Sequence, residues 1–317
     1  MSPRELTVTS ADGSRIRAEV YGPEGAPAVV LAHGWTCSIR FWDAQIRALA
    51  VDHRVIAYDQ RGHGGSPEPL DRVAGYSTDA LADDLEAVLA ATLGPGERAV
   101  LAGHSMGGMT IMAAARRPRV RQHAAAALLC STGPSRLTAE ALVVPLGPGR
   151  VRTRLTRSIL GAKAPLGPVT PLSKRILKYA TMGPGSAPDR VDACARIVHA
   201  CPRGARHGWS RVLAGLDVEA DVRELRMPVA VLVGTADRLT PPAHSRALAA
   251  ALPHCTGLVE LAGMGHMTPV EAPEAVTAQI RELTLTYLGA RENSLERNAE
   301  ERNTQEQKAA EKEEAGA

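Results

Sequence analysis

Apolar and polar residues alternate with the period of a β-strand in two short segments near the start of the chain. These segments, 5–9 and 15–21, flank the turn signal Asp12-Gly13 and predict a β-hairpin. Further along, the alternation gives way to continuous apolar runs, which are typical of strands buried on both faces of a sheet. We expect further strands at 27–33, 53–59, 98–102, 124–130, 228–234 and 256–261.

Segments with the 3.6-residue period of an amphipathic helix separate most of these runs. Such segments cover 41–50, 78–91, 106–117, 242–252 and 273–288. Regular alternation of strand and helix predicts an α/β fold, in which a mainly parallel eight-stranded sheet carries helices on both faces.

The alternation stops after the strand at 124–130, and this interruption divides the chain. Residues 134–226 are rich in Pro and Gly and contain only short helix-like pieces, which predict an inserted helical cap. Residues 1–133 and 227–290 then form the core. Residues 291–317 are almost entirely polar, with Leu295 as the only large apolar residue, so we expect a disordered or frayed charged tail.

Charge is unevenly distributed along the 317 residues, although the whole chain has a net charge of only +3. This small net charge gives no indication of binding to nucleic acid or to a membrane surface. The cap is the basic part, because residues 134–226 contain 16 Lys and Arg against 7 Asp and Glu. The excess indicates either an ordinary solvated surface or a cap that attracts anionic or phospholipid-bearing substrates.

Apolar stretches and cysteines bear on where the protein works. No apolar stretch is long enough for a transmembrane helix, and the first residues lack the apolar region of a secretory signal. Five cysteines are scattered along the chain without a C-x-x-C pair, which is typical of free thiols in a reducing compartment. We therefore expect a cytoplasmic protein without a membrane span.

The sequence Gly103-His104-Ser105-Met106-Gly107 lies between a predicted buried strand and a predicted helix. It matches G-x-S-x-G, the pattern of a sharp turn that exposes a nucleophilic serine at the end of a strand. Small neighbours are required because the turn holds the serine in a strained backbone conformation. Ser105 is therefore the candidate nucleophile.

A serine hydroxyl needs a base that removes its proton and an acid that orients the base. Both should lie at the sheet edge where Ser105 lies, because open α/β sheets bind ligands at the carboxyl ends of their strands. His266 follows the last predicted strand in a Gly-rich loop and is the candidate base. Asp237 follows the strand at 228–234 and is the candidate acid.

Other histidines and acids near these loops fit the two roles less well. His53 and His254 precede their strands, which places them at the opposite edge of the sheet. Asp217 and Asp221 also precede a strand, and Glu271 is expected to begin a helix.

Attack on a carbonyl carbon creates an oxyanion, which two backbone N–H groups can stabilise. Met106, directly after the candidate nucleophile, supplies one of them. Trp35, in the loop after the strand at 27–33, is the natural source of the second. We expect the N–H groups of Trp35 and Met106 to form an oxyanion hole.

On these motifs the chain resembles the α/β-hydrolase fold superfamily, over roughly residues 5–290, with the nucleophile, acid and base in the order of that family. It is also similar to the branch of serine carboxylesterases and cofactor-free haloperoxidases. The resemblance implies that Asp59 and Arg61 are scaffold residues. The motifs that carry it are His33-Gly34-Trp35, Asp59-Gln60-Arg61-Gly62-His63-Gly64, Gly103-His104-Ser105-Met106-Gly107-Gly108, Asp237 and Gly265-His266.

The resemblance and the candidate residues together imply a serine hydrolase that cleaves small-molecule carboxylic esters through an acyl-enzyme intermediate. Neither a metal nor an organic cofactor is required for this chemistry. Thioester hydrolysis, acyl transfer and hydrolysis of a C–C bond are alternatives on the same three residues. A further alternative is a non-catalytic ligand-binding protein on a hydrolase scaffold. The sequence carries no signal for an oligomeric state.

Overall fold

The computed structural model describes residues 2–71 and 73–289 of the chain. Its strands are β1 (Arg4–Thr9), β2 (Arg15–Tyr21), β3 (Ala28–Ala32), β4 (Arg54–Tyr58), β5 (Ala99–His104), β6 (Ala124–Cys130), β7 (Val229–Gly234) and β8 (Cys255–Leu261). They form one sheet in the order β1-β2-β4-β3-β5-β6-β7-β8. β2 pairs antiparallel with β1 and with β4, and the remaining neighbours are parallel. The expected α/β fold with a mainly parallel eight-stranded sheet is confirmed.

Helices connect most of the strands. The longest has 15 residues, and no helix among the described residues could span a bilayer. A 3-10 turn at Ile39–Trp42 precedes the first helix, and a π-helical turn at Leu285–Gly289 follows the last. The helices are α1 (Asp43–Leu49), α2 (Thr78–Thr92), α3 (Met106–Ala113), α4 (Pro118–His123), α5 (Leu137–Glu140), α6 (Arg150–Leu160), α7 (Pro171–Thr181), α8 (Pro188–Ala200), α9 (Arg203–Ala214), α10 (Glu219–Val222), α11 (Pro242–Ala251), α12 (Thr268–Glu271) and α13 (Pro273–Thr284).

Two apolar cores lie on the two faces of the sheet, because successive side chains of a strand point to opposite faces. Val30 of β3 joins the core that includes apolar residues of α2 and α3. Its neighbours Val29 and Leu31 join the core that includes apolar residues of α1 and α13. All five residues of β3 are buried. This is why the central strands are apolar without interruption.

The helix expected at 106–117 is shorter than its pattern indicates. α3 ends at Ala113, and a new helix, α4, begins at Pro118. Proline lacks the N–H that a helix interior needs, but it fits the first position of a helix, where that N–H has no partner. The helix expected at 273–288 also ends early, since regular α-helix stops at Thr284.

The helices α5 to α10 lie within residues 134–226, which we term the cap segment. Two indole groups join this segment to the loops after β3 and β4. Trp209 Nε1 donates to the Arg61 carbonyl at 3.0 Å, and Trp35 Nε1 donates to the Arg206 carbonyl at 3.1 Å. The division into core, cap and tail stays a prediction. The tail expected at 291–317 lies outside the described residues.

The loop after β4 is held by two buried side chains. Arg61 Nε donates to Asp84 Oδ2 at 2.7 Å, and both side chains are buried. Asp59 Oδ1 accepts a hydrogen bond from Ile39 N at 2.7 Å. Through these contacts Asp59 and Arg61 brace loops at the carboxyl edge of the sheet, in the manner that the resemblance implies.

Candidate active site

Ser105 lies at the turn between β5 and α3, at the carboxyl edge of the sheet. Its φ of +51° and ψ of −117° are unfavourable for a residue with a side chain. Neighbouring groups hold this conformation. Ser105 N donates to the Cys130 carbonyl at 2.9 Å, and the Ser105 carbonyl accepts from Thr132 Oγ1 at 2.8 Å.

Glycines on either side of Ser105 are required by close packing of backbone against backbone. A Cβ on Gly107 would overlap the carbonyl of Ala32 in β3. A Cβ on Gly103 would lie 2.5 Å from the carbonyl oxygen of Gly107, closer than real Cβ atoms approach. The G-x-S-x-G pattern of the sequence therefore has a steric cause in the fold.

Asp237 and His266 lie in the loops after β7 and β8, and these neighbouring strands end at the same edge of the sheet. His266 Nδ1 is 2.9 Å from Asp237 Oδ2, and both side chains are buried. A neutral imidazole that donates from Nδ1 to a carboxylate leaves Nε2 as a proton acceptor. His266 and Ser105 line the same cavity.

Thr240 holds the Asp237 carboxylate in place. Asp237 Oδ1 accepts hydrogen bonds from Leu239 N at 2.8 Å and Thr240 N at 2.9 Å, and Oδ2 accepts from Thr240 Oγ1 at 2.9 Å. Thr240 was not among the residues predicted from the sequence. The available signal was its spacing, because an Asp side chain at the start of a turn commonly binds backbone groups two or three residues later.

Glu271 holds the loop that carries His266. Its carboxylate accepts hydrogen bonds from Gly265 N at 3.1 Å and Met267 N at 3.0 Å, the two residues that flank His266. It also accepts one from Gly183 N of the cap segment at 2.6 Å. We expected Glu271 to begin a helix, but it is the last residue of α12. No pattern along the chain indicated these contacts.

His104, which precedes Ser105, is a second residue that positions His266. His104 Nε2 lies 2.8 Å from the His266 carbonyl oxygen, and the two rings are 4.9 Å apart. Burial, followed by the nearby His266, holds the pKa of His104 well below its usual value. His104 is therefore a neutral donor to the His266 backbone. The G-x-S-x-G motif allows any residue at this position, so it did not indicate this role for His104.

The two N–H groups expected to form an oxyanion hole belong to Trp35, after β3, and Met106, the first residue of α3. The N–H of a first helical residue has no acceptor inside its helix. Trp35 is followed by Thr36, which has an unfavourable φ of +63°. Thr36 N donates to His63 Nε2 at 3.2 Å, and this contact fixes the loop beyond Trp35.

Two buried, neutral histidines support the Trp35 loop. His33 Nε2 accepts from Gln60 N at 3.0 Å, and His33 Nδ1 lies 2.8 Å from the Gly34 carbonyl oxygen. Burial lowers the pKa of His33 to about 4. Burial, and then the neighbouring His33, lowers the pKa of His63 to about 3. Each ring can therefore offer an unprotonated Nε2 to a backbone N–H at neutral pH.

A cavity of about 360 Å³ lies between the sheet edge and the cap segment. The sheet edge contributes Trp35, Ser105 and His266 to its wall. Most of the apolar wall comes from the cap segment, through Leu137, Ile159, Leu160, Leu166, Ile176, Leu177, Val198 and Leu213. Apolar parts of a ligand would therefore contact the cap segment, and its reacting atoms would lie near Ser105.

Four of the five His, Asp and Glu residues that fitted the catalytic roles less well lie away from the cavity. Among the described residues that line the cavity there is no His53, His254, Asp217 or Asp221. His53 instead contacts Thr284 Oγ1 through its Nε2 at 2.9 Å. Within 2–71 and 73–289, no group of three or more His, Cys, Asp and Glu side chains is arranged to hold a metal ion.

The model of the alpha/beta hydrolase family matches residues 29–279. A bifunctional esterase/perhydrolase, DCH, from Acinetobacter calcoaceticus is 43% identical over 102 residues, which are 32% of this chain and 35% of that enzyme. The chain thus spans about a third of the length of that relative. The 3-oxoadipate enol-lactonase 2 from Acinetobacter baylyi is 26% identical over 275 residues, 85% of this chain and 92% of the relative.

Solved structures resemble this fold over most of its length. The esterase RhEst1 from Rhodococcus sp. ECU1013 has a TM-score of 0.73 and 26% sequence identity, over 90% of this chain and 100% of that structure. Two of the proteins named here, DCH and RhEst1, are esterases by name. Because the family model covers most of the chain and the eight-stranded sheet agrees with it, the chain belongs to the α/β-hydrolase family.

Proposed function

We propose that this protein is a serine-dependent carboxylic ester hydrolase that works through an acyl-enzyme intermediate. One observation carries the proposal: His266 Nδ1 lies 2.9 Å from Asp237 Oδ2, beside a cavity that Ser105 also lines. A nucleophile, a base and an acid that orients the base are the groups that acyl transfer needs.

In the first half of the reaction, His266 Nε2 takes the proton of Ser105 Oγ while that oxygen attacks the ester carbonyl carbon. The carbonyl oxygen becomes an oxyanion, which the N–H groups of Trp35 and Met106 stabilise. His266 then gives the proton to the leaving alcohol oxygen as the C–O bond breaks. Asp237 stabilises the imidazolium, and the acyl group stays on Ser105.

In the second half, water replaces the alcohol. His266 Nε2 takes a proton from the water as its oxygen attacks the acyl carbon, and the same two N–H groups stabilise the new oxyanion. The bond to Ser105 Oγ breaks, and His266 returns the proton to that oxygen. The carboxylic acid leaves, and the enzyme regains its starting state.

The cavity supports a small-molecule substrate with an apolar acyl or alcohol group. Its volume of about 360 Å³ is near the lower end of the range for small-molecule sites. The names of the relatives, an esterase/perhydrolase and an enol-lactonase, agree with an ester or a lactone. We propose that apolar esters are turned over faster than esters with a charged acyl group.

The proposal is tested with p-nitrophenyl butyrate and a fluorophosphonate probe. We expect Ser105→Ala to lower kcat by about 10⁴-fold or more, because the acyl-enzyme cannot form. The probe should label Ser105 in the folded protein and fail to label the variant. Ser158→Ala, at an exposed serine of α6, is the control and should keep activity. Full turnover by Ser105→Ala would refute the nucleophile assignment.

Three other reactions use the same residues: thioester hydrolysis, acyl transfer and hydrolysis of a C–C bond. A panel of p-nitrophenyl esters, acyl thioesters and vinylogous diketones distinguishes them by kcat/KM. A non-catalytic ligand-binding protein is a further candidate. A ligand that raises Tm, with no probe labelling and no turnover of any panel member, would favour it.

We also propose that the protein resides in a reducing compartment, the cytoplasm. The support is that all five cysteines are free and that Cys37, Cys130 and Cys194 are buried. Alkylation of the denatured protein without a reductant should modify all five thiols. Recovery of fewer thiols from freshly lysed cells would contradict this.

A further inference from the structure

Helix α6 of the cap segment has its apolar side chains on the wrong face for an ordinary surface helix. Val151, Leu155 and Ile159 follow one another at intervals of four residues, and all three are exposed. The buried residues of this helix are Arg152 and Thr156. Surface helices normally place the apolar face toward the core and the polar face toward water, so α6 is reversed.

Helix α7 has the same arrangement. Leu172, Ile176 and Tyr179 lie on one side of the helix and are exposed, while Thr181 is its only buried residue. Together with Val151, Leu155 and Ile159 they form what we term the outward stripes. Of 14 large apolar residues that are exposed in the described ranges, ten lie between 142 and 179. Such a concentration marks an interaction surface.

The segment that carries the outward stripes has charges of a single sign. From Ala141 to Pro188 the chain contains eight Lys and Arg residues and no Asp or Glu. Lys174 pairs with Asp192. The other seven make no ion pair with any described residue. Arg152 and Lys178 donate to backbone carbonyls, and the remaining five are Arg150, Arg154, Arg157, Lys163 and Arg175. The surface therefore combines exposed aliphatic groups with uncompensated positive charge.

The outward stripes reach the cavity. Ile159 of α6 and Ile176 of α7 both line its wall, although each remains 59% exposed. Arg157, which is also exposed, lies in the same wall. A surface that covers the stripes would therefore lie directly over the cavity mouth.

We propose that α6 and α7 dock this protein onto the surface of an anionic phospholipid bilayer. Helices that lie in a bilayer surface place apolar side chains among the acyl chains and Lys or Arg near the headgroups. Each basic residue near an anionic leaflet adds a favourable Coulomb interaction. The outward stripes and the five basic residues around them supply both features on α6, α7 and the segment between them.

Other binding partners for the outward stripes fit these observations less well. A second copy of the chain would bring two surfaces of the same positive sign together. The terminal residues 291–317 contain one large apolar residue, Leu295, which is too few to cover six exposed side chains. Single-stranded nucleic acid is commonly bound by aromatic side chains that stack on bases, and Tyr179 is the only aromatic residue of the outward stripes.

Docking at this face has a consequence for the substrate, which rests on the function proposed above. The cavity mouth would face the lipid, so an apolar ester dissolved in the bilayer could reach Ser105 without crossing water. Esters that partition into anionic vesicles should then be hydrolysed faster than equally reactive esters that stay in water.

Docking itself is tested by flotation of the whole protein with lipid vesicles, a measurement that needs no turnover. The wild type should float with phosphatidylcholine vesicles that contain about 30 mol% phosphatidylglycerol and much less with pure phosphatidylcholine. Added salt at about 0.5 M should weaken binding to the anionic vesicles, because it screens the charges.

Two double variants test the surface. Val151→Ser with Leu172→Ser removes two exposed side chains that do not line the cavity, and we expect vesicle binding to fall by about tenfold. Arg154→Gln with Arg175→Gln should weaken binding to anionic vesicles by about tenfold as well. Matched controls change exposed residues outside α6 and α7: Val51→Ser with Leu70→Ser, and Arg4→Gln with Arg223→Gln. The controls should bind like the wild type.

Three results would overturn the proposal. One is a wild type that does not float with anionic vesicles. Another is binding that falls equally in the control variants. The third is a protein whose mass in solution is that of a dimer and becomes that of a monomer in the Val151→Ser, Leu172→Ser variant, which would assign the surface to a second copy. Ester turnover by a protein that does not float would leave the proposed function standing.

Discussion

The Asp237 carboxylate stands between two partners, because its Oδ2 lies 2.9 Å from His266 Nδ1 and 2.9 Å from Thr240 Oγ1. Its other oxygen accepts from two backbone N–H groups of the same turn. Each oxygen of this buried carboxylate therefore has two short polar contacts. The orientation of the His266 ring therefore depends on a turn that a few local hydrogen bonds hold.

Replacement of the carboxylate by an amide should disable the base. In Asp237→Asn the amide can present its NH₂ group to Nδ1, which favours the tautomer with a proton on Nε2 and removes the base. We expect kcat for p-nitrophenyl butyrate to fall by about 10⁴-fold with little change in KM. An Asp237→Asn enzyme with wild-type kcat would mean that another acid serves His266.

The Thr240 hydroxyl should matter through Asp237. Thr240→Val keeps the shape of the side chain but removes the donor to Oδ2, so we expect kcat to fall by about tenfold. Thr240→Ser retains the hydroxyl and should recover most of the activity. If Thr240→Ser is as slow as Thr240→Val, the effect comes from packing instead.

Loss of charge at Glu271 should loosen the loop that carries His266. Glu271→Gln leaves one acceptor oxygen where the carboxylate binds Gly265 N and Met267 N, and its NH₂ group opposes these donors. We expect the free energy of unfolding to fall by about 2–3 kcal/mol, measured with urea. kcat should fall with it, because the backbone on both sides of His266 is released.

Glu274→Gln is the matched control for Glu271, since the same change is made at an exposed position in the first turn of α13. A surface substitution of this kind should change stability by less than about 0.5 kcal/mol. If both variants lost the same free energy of unfolding, the hydrogen bonds of Glu271 would contribute no more to stability than the exposed Glu274 does.

Acid should destabilise the protein through the buried histidines His33 and His63. In the unfolded chain their pKa is about 6.5, whereas burial lowers it to about 4 for His33 and about 3 for His63 in the fold. The unfolded state therefore binds more protons below pH 6.5. The protein therefore has its full stability above pH 6.5, and its free energy of unfolding falls as the pH drops toward 4.

The measurement is Tm between pH 7 and pH 4.5. His63→Gln removes one of the titrating groups and keeps an acceptor for Thr36 N, so its Tm should change less over this range. His254→Gln, at an exposed position, is the control and should follow the wild type. A wild-type slope in His63→Gln would exclude His63 as a source of the pH dependence.

The contact between Gly107 and β3 should tolerate no side chain. Gly107→Ala places a Cβ against the Ala32 carbonyl, and we expect the free energy of unfolding to fall by about 1–3 kcal/mol. Labelling of Ser105 by the fluorophosphonate should fall as well. Gly215→Ala, where no atom lies within 4 Å of the added Cβ, should be nearly neutral in urea denaturation and in labelling.

Pattern and spacing were sufficient to predict the sheet and the edge at which the candidate site lies. Continuous apolar runs predicted the buried strands, and G-x-S-x-G predicted a turn whose glycines the packing requires. Asp237 and His266 could be named because each follows a strand, and parallel strands bring their carboxyl ends to one edge. Their roles and that of Ser105 remain predictions.

Residues that act through their neighbours could not be found in this way. Glu271 contacts Gly183, which is 88 residues away, and His104 contacts the His266 carbonyl, 162 residues away. The periodic pattern of apolar residues does not indicate such pairs, because they depend on how loops from distant parts of the chain meet. The stop of α3 at Ala113 was missed for a different reason, because the Ala and Arg residues at 114–117 are good helix formers and carry no stop signal.

The sequence by itself determined the order of strands and helices along the chain, because hydrogen bonding and apolar burial impose periods of two and 3.6 residues on the pattern. Only the tertiary structure decided which side of α6 faces the protein. An apolar stripe in a sequence predicts a buried side, yet here Arg152 and Thr156 are buried and the stripe is exposed. The physical reason is that periodicity defines the two faces of a helix, while the elements packed against it select the face that is covered.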